Sequence, residues 1–136
     1  MTRRGLPRVD VRTAPTHEEE RLRGRTYAIP FEDVWQAALA LADGALKGWH
    51  VISSDDHDGI ITAEVRRRWP AAVDRVILRI GLDRDAQTRV DAEAAAWGDT
   101  KLSPHRTAKH LFRFFNELDS MVQHTAAARQ RTLPTP

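Results

Sequence analysis

The chain contains no cysteine, one tyrosine, three lysines and four serines among its 136 residues. Without thiols, disulfide scaffolds, Cys-ligated zinc, iron–sulfur clusters and cysteine nucleophiles are all excluded. None of the serines stands in a Gly-x-Ser-x-Gly elbow, and the seven glycines form no phosphate-cradling loop. No apolar run approaches the ~18 residues that a membrane span requires. Arg3 and Arg4 near the start are not followed by an apolar segment with a small-residue cleavage site, so they are not read as a secretion signal. With no lipid-acceptor cysteine either, the expected location is the cytoplasm.

What is present suits one domain with a real core: 41% of residues are hydrophobic and 29% charged. The net charge is +2 although the sequence pI is about 9.5. Dividing the charge by segment sharpens this. Residues 1–25 carry seven arginines against Asp10 and three glutamates, or +3, and residues 125–136 add Arg129 and Arg131, which leaves −3 on residues 26–124. The expectation is a mildly acidic folded domain over 26–124, a flexible or loosely docked basic arm over 1–25, and a C-terminal tail over 125–136 that frays.

Within the body, Thr26 to Ile29 is β-prone and stopped by Pro30, which suits an edge strand. A helix is predicted from Phe31, with Glu32 and Asp33 in its first turn and an apolar stripe of Phe31, Val34, Trp35, Ala38, Leu41 and Ala42. Gly44 and Gly48 close it. Trp49 to Ser53 and Ile60 to Val65 read as paired strands around the turn Ser54-Asp55-Asp56-His57-Asp58-Gly59. Pairing Val51 with Ala63 puts Trp49, Val51, Ile61, Ala63 and Val65 on one face. Arg75 to Ile80 and Thr88 to Ala94 alternate cleanly and form a second hairpin. Setting Arg79 opposite Asp91, rather than opposite Arg89, avoids a like-charge pair and keeps the faces. A final helix is predicted from an N-cap at Ser103 and Pro104, with the stripe Ala108, Leu111, Phe115, Leu118 and Val122 widened by Phe114 and Met121.

The order β-α-β-β-β-β-α predicts an α+β fold: an antiparallel sheet of four to five strands with both helices on one face. The other face then carries His50, Ile52, Ile60, Thr62, Arg75, Ile77, Arg79, Arg89, Asp91 and Glu93. Its isoleucines among charges fit either a solvated surface or a partner surface.

Few local motifs carry chemistry. Asp55-Asp56-His57-Asp58-Gly59 is dense in oxygen ligands, yet a calcium loop aligned on Gly59 would need an acid at Ser54 and a bidentate glutamate at Val65, so a hairpin turn is the better reading. His105 and His110 are five apart and point to different faces, unlike a zinc-binding i, i+4 pair; both are expected at the surface or a helix end. Arg66-Arg67-Arg68-Trp69 could grip phosphate and stack a base, but on a net acidic body a solvated strand end is favoured. Trp97, in the loop before the last helix, plugs the core or lines a small cleft with Phe112. The candidate binding residues are therefore Arg66, Arg67, Arg68, Trp69, Arg79 and Trp97. No catalytic group, metal ligand or cofactor is assigned.

With its elements in order, the body resembles the bacterial family known as domain of unknown function 1499, and more loosely the small envelope domains of the BamC type. The resemblance rests on Val34-Trp35, Trp49-His50-Val51, Gly59-Ile60-Ile61-Thr62-Ala63, Gln87-Thr88-Arg89-Val90-Asp91 and the run from Leu111 through Phe114 to Leu118-Asp119, and spans about residues 26–120. It implies a similar fold and no established activity. Where the family carries a Ser/Arg-rich stretch and an Asp-x-Gly-x-Asn opening of the last helix, this chain has Ala94-Ala95-Ala96-Trp97 and Ser103-Pro104-His105-Arg106-Thr107. If the polar stretch is the family's functional site, it has been lost or replaced here.

The leading functional expectation is a non-enzymatic interaction domain that takes a protein partner or a second copy of itself on the open sheet face. A small-ligand cleft between the sheet and the last helix ranks second, and nucleic-acid binding through the arginine-rich arms third.

Overall fold

A computed structural model describes residues 11–68, 71–96 and 104–132. It contains six strands, β1 (Val11–Arg12), β2 (Arg25–Tyr27), β3 (Trp49–Asp55), β4 (Ile60–Arg68), β5 (Ala71–Leu82) and β6 (Thr88–Ala96), and two long helices, α1 (Phe31–Ala40) and α2 (Pro104–Thr132). The strands form one antiparallel sheet in the order β1-β6-β5-β4-β3, with β2 also on β6. This is the α+β architecture expected, with a strand more than the four to five predicted. Among the described residues, no helix is long and apolar enough to cross a membrane.

Both predicted registers are present: Val51 faces Ala63, and Arg79 faces Asp91. The alternation therefore buries Ile61, Ala63, Val65, Val76, Leu78, Ile80, Val90, Ala92 and Ala94 on one face. Against that face lie Val34, Trp35 and Ala38 of α1 and Leu111, Phe114, Phe115 and Leu118 of α2. Phe114 is stacked on Trp49 at 5.8 Å between ring centroids and meets Phe115 edge-on at 5.4 Å, arrangements that aromatic pairs favour. Helix α1 opens into a wide turn, Leu41–Ala45, and stops at Gly44, whose φ of 119° is unfavourable for a side-chain-bearing residue.

The middle hairpin is longer than the sequence suggests. Strand β4 continues through Arg66, Arg67 and Arg68, which pair with Val73, Ala72 and Ala71, so the arginine run forms the end of the strand, three residues beyond the predicted Val65. At the other hairpin end, Asp55 Oδ1 accepts the backbone N–H groups of His57 and Asp58, as the turn reading requires. Gly59 follows at φ 72°, and its carbonyl takes the N–H of Ile80 at 2.7 Å. A Cβ there would collide with the Ile80 carbonyl, so only glycine fits.

The N-terminal arm expected over 1–25 needs correction. Residues 11–25 lie on the molecule: Val11 pairs with Ala94, Arg25 pairs with Val90, and the Thr13 hydroxyl accepts the Ala92 N–H. Strands β1 and β2 act as one edge strand interrupted by a loop, which crosses α2 and buries Leu22. Residues 1–10 lie outside the described residues, as do 133–136 of the expected tail; α2 itself runs through Thr125 to Thr132.

Candidate functional site

Neither helix covers the other face of the sheet, and strand alternation dictates its contents. Glu93 sits at its centre, only 7% exposed, because two guanidinium groups close over it. Arg12 from β1 reaches Oε2 at 2.9 Å, and Arg79 from β5 donates to Oε1 at 2.9 Å. Beside them Arg89 grips Asp91 with two bonds of 2.8 Å, and the Thr13 hydroxyl donates to the same carboxylate at 2.8 Å. Arg89 also donates to the Arg23 carbonyl, which ties the N-terminal loop to the face. Toward β3 the contacts loosen: Glu64 is 3.9 Å from both Arg75 and His50.

These part-buried ion pairs keep some of their surface in water, and each adds about 1 kcal/mol to stability. Their larger effect is order, since charge-assisted and bidentate bonds hold the long side chains in defined places. From β1 to β4 the face presents Arg12, Arg66, Arg75, Arg79 and Arg89 against Glu64, Asp91 and Glu93. With the N-terminal segment and the end of α2 included, residues 11–132 carry no net charge, yet this face is arginine-rich. Ile60 and Ile77 are half-buried among these charges, and Ile52 is 41% exposed where a bulge between Val51 and Ser53 breaks the β3–β4 register.

Two hollows indent this side. One of about 320 Å³ lies among Asp58, Ile60, Arg79, Gly81, Leu82 and Arg89, and one of about 290 Å³ lies beside Glu64, Val73 and Arg75. The free edge of the sheet is less accessible than its face. At the start of β3 the outward N–H of Trp49 goes to the Leu46 carbonyl and that of Val51 to Asp43 Oδ1, which blunts strand addition there.

The predicted binding residues are not gathered in one place. Arg66 is exposed and Arg79 lies on the same face, but Arg79 faces Ile60 and Arg66 faces Val73, some six residues or about 20 Å apart along β4. The backbones of Arg67 and Arg68 lie in β4, while Trp69 and Trp97 fall outside the described residues. Of the two residues named for the expected cleft, Phe112 has the Arg21 guanidinium over its ring at 4.1 Å from the centroid, and Trp97 lies outside the described residues. Next to it Arg25 lies over Phe115 and bonds Asp119, whose other oxygen accepts the Tyr27 hydroxyl at 2.5 Å. Burial, and then this bond to Asp119, push the Tyr27 phenol above the ordinary tyrosine range.

His110 also departs from expectation. It is half-buried on the core side of α2, and its Nε2 lies 2.7 Å from Oδ2 of Asp74, which is fully buried. The signal was readable: Asp74 continues the inward alternation of Val76, Leu78 and Ile80, and His110 shares the Phe114 face of α2. Trp49 meets the His110 ring edge-on at 6.4 Å, so the pair is walled by aromatic surface. Among the described residues there is no group of three or more metal-ligating side chains.

No family model, no curated protein and no solved structure matches the chain. The residues themselves therefore carry the functional argument.

Proposed function

We propose that this chain is a small non-enzymatic interaction domain that takes a protein partner on the open face of its sheet. The observation that carries the reading is that face itself. It is uncovered by either helix, rich in guanidinium groups held by Glu93 and Asp91, and interspersed with Ile52, Ile60 and Ile77. Ordered arginines beside modest apolar area suit an interface better than a purely solvated surface does. The blunted β3 edge favours docking on the face over strand addition. Kinship with the domain of unknown function 1499 belongs to the same proposal and rests on the motifs from Val34-Trp35 to Leu118-Asp119. The ligand cleft near Trp97 and Phe112 has less support because the Phe112 ring already carries the Arg21 guanidinium, and nucleic acid has less because carboxylates interrupt the arginines.

Site-specific photo-crosslinking tests the reading. A photoreactive side chain at Thr62 or Ile77 should yield a discrete adduct, whereas the same group at Gln36 or Asn116 on the helices should not. Light scattering reports whether the partner is a second copy. Equal yields from helix and sheet positions, or a strict monomer with no adduct from the sheet, would refute it.

A further inference from the structure

Charge is distributed unevenly along the sheet axis. At one end of the sheet Trp49 faces Val65, Val65 faces Asp74 and Asp74 faces Ala96. The first half of α2 lies over the same end, since His110 reaches Asp74 and Arg113 Nη1 donates to the Lys47 carbonyl at 3.4 Å. The segments gathered there, residues 47–50, 64–68, 71–75, 94–96 and 104–113, hold eight arginines and lysines against Glu64 and Asp74, or +6 with histidines neutral. Residues 11–132 sum to zero, so the rest of that span carries −6.

Fold stability does not account for this concentration. Arg66, Arg67 and Arg68 pair across the ladder with Val73, Ala72 and Ala71, so no acid stands opposite any of them. The first turn of α2 has no acid and includes His105 and Arg106, although the helix dipole favours negative charge there. Lys47, Arg66, Lys109 and Arg113 are exposed, and among the described residues none of the four makes an ion pair. The backbone sets them near one another. The Arg66 N–H donates to the carbonyl of Gly48, next to Lys47, and Lys109 precedes Arg113 by one turn on the same side of α2.

We infer that this end of the domain is a nucleic-acid-binding surface that holds the phosphate backbone, with Lys47, Arg66, Lys109 and Arg113 as its exposed contacts. The occupant follows from the charge and from what accompanies it. A protein interface has an apolar centre and a membrane-seated surface an apolar wedge. The exposed large hydrophobics among the described residues are Ile52, in the β3 bulge, and Leu82, at the opposite end of β5. Asp91 and Glu93, which interrupt the arginines of the open face, are not among the residues of this end. Full exposure of the cations suits this partner, because affinity for a phosphate polymer comes largely from the release of its condensed counterions. The surface meets the open face at Arg66 and is otherwise separate from it, so it adds a second partner to the protein proposed above.

Fluorescence anisotropy of a short labelled DNA duplex of arbitrary sequence tests the assignment on the full chain. The duplex should bind at low salt, and log affinity should fall against log salt with a slope of about −3 to −4, from ~0.9 for each of four phosphate contacts. Replacing both Lys109→Gln and Arg113→Gln should make that slope shallower by about two and lower affinity about tenfold or more. Their exposure should leave the thermal midpoint unchanged. Arg84→Gln, in the exposed turn between β5 and β6 at the opposite end, should alter neither slope nor affinity. No binding of the duplex at low salt, a slope near zero, or equal losses in Arg84→Gln and the double variant would overturn the assignment. Tighter binding to polyglutamate or to phosphatidylserine vesicles than to the duplex would overturn it as well. Adducts from Thr62 and Ile77 bear on the open face alone, so either reading can fall without the other.

Discussion

The contact between Asp74 and His110 is the most consequential single interaction to break. Asp74 has no exposed surface and the His110 side chain is 15% exposed, so water cannot take over the role of the removed partner. Removing one member of such a buried pair typically costs about 3–5 kcal/mol, because the remaining group loses a 2.7 Å partner in the low-dielectric interior. His110→Ala should fall at the upper end of that range, since it also strips the edge-on contact with Trp49. Asp74→Asn keeps the shape and a polar partner for the ring, and should cost about 1–3 kcal/mol. The double variant should lose less than the sum of the singles, with a coupling of at least about 1 kcal/mol. Urea unfolding followed by tryptophan fluorescence reads this directly. With a slope of ~1–3 kcal/mol/M, His110→Ala moves the midpoint by roughly 2 M. Additive single costs, or a shift in His110→Ala no larger than that of an exposed substitution such as Gln36→Ala, would refute the reasoning.

Three further outcomes follow from other contacts. Tyr27 is the only tyrosine, so phenolate absorbance near 295 nm reports it alone. Its folded pKa is raised, and the associated stability is intact below the unfolded value of about 10 and declines as pH climbs above it. The phenolate should therefore appear only together with alkaline unfolding; a separate, earlier ionisation in the folded protein would contradict the buried bond to Asp119. Gly59→Ala should cost at least ~1–3 kcal/mol in thermal or urea unfolding, since it adds positive-φ strain to a backbone collision at Ile80, and a neutral result would mean that the hairpin end is built differently. Glu93→Gln should cost only about 1 kcal/mol, diminishing with added salt, because Arg12 and Arg79 keep 67% and 55% of their side-chain surface exposed. A loss several times larger would show that the arginine lattice is a folding element rather than a surface one.

How much of this was legible in the sequence depended on the range of the interaction. Alternation and like-charge avoidance gave the Val51–Ala63 and Arg79–Asp91 registers, because strand pairing across a short turn is a local problem. The N-terminal segment was not legible. It buries little beyond Val11, Thr13 and Leu22, and what fixes it are pairs such as Arg12 with Glu93 and Tyr27 with Asp119, separated by 81 and 92 residues. No periodicity encodes such partners. The predicted strand stopped at Val65 because the arginines end its apolar alternation, while the ladder opposite Ala71, Ala72 and Val73 carries it on through Arg68.

The candidate site shows the same division. Its members lie on five different strands, and only the sheet register brings Arg12 opposite Glu93 with Arg79 on the diagonal. Arg79 shows how an exposed guanidinium departs from its ladder partner. In the sequence it was half of a register argument with Asp91, whereas in the structure it faces Asp91 across the ladder but spends its bond on Glu93, leaving Asp91 to Arg89 and Thr13. The charge rule placed the strand correctly and named the wrong partner. Backbone register is set by the whole ladder and its buried face, whereas guanidinium groups on an exposed face choose among several carboxylates within reach at nearly equal free energy.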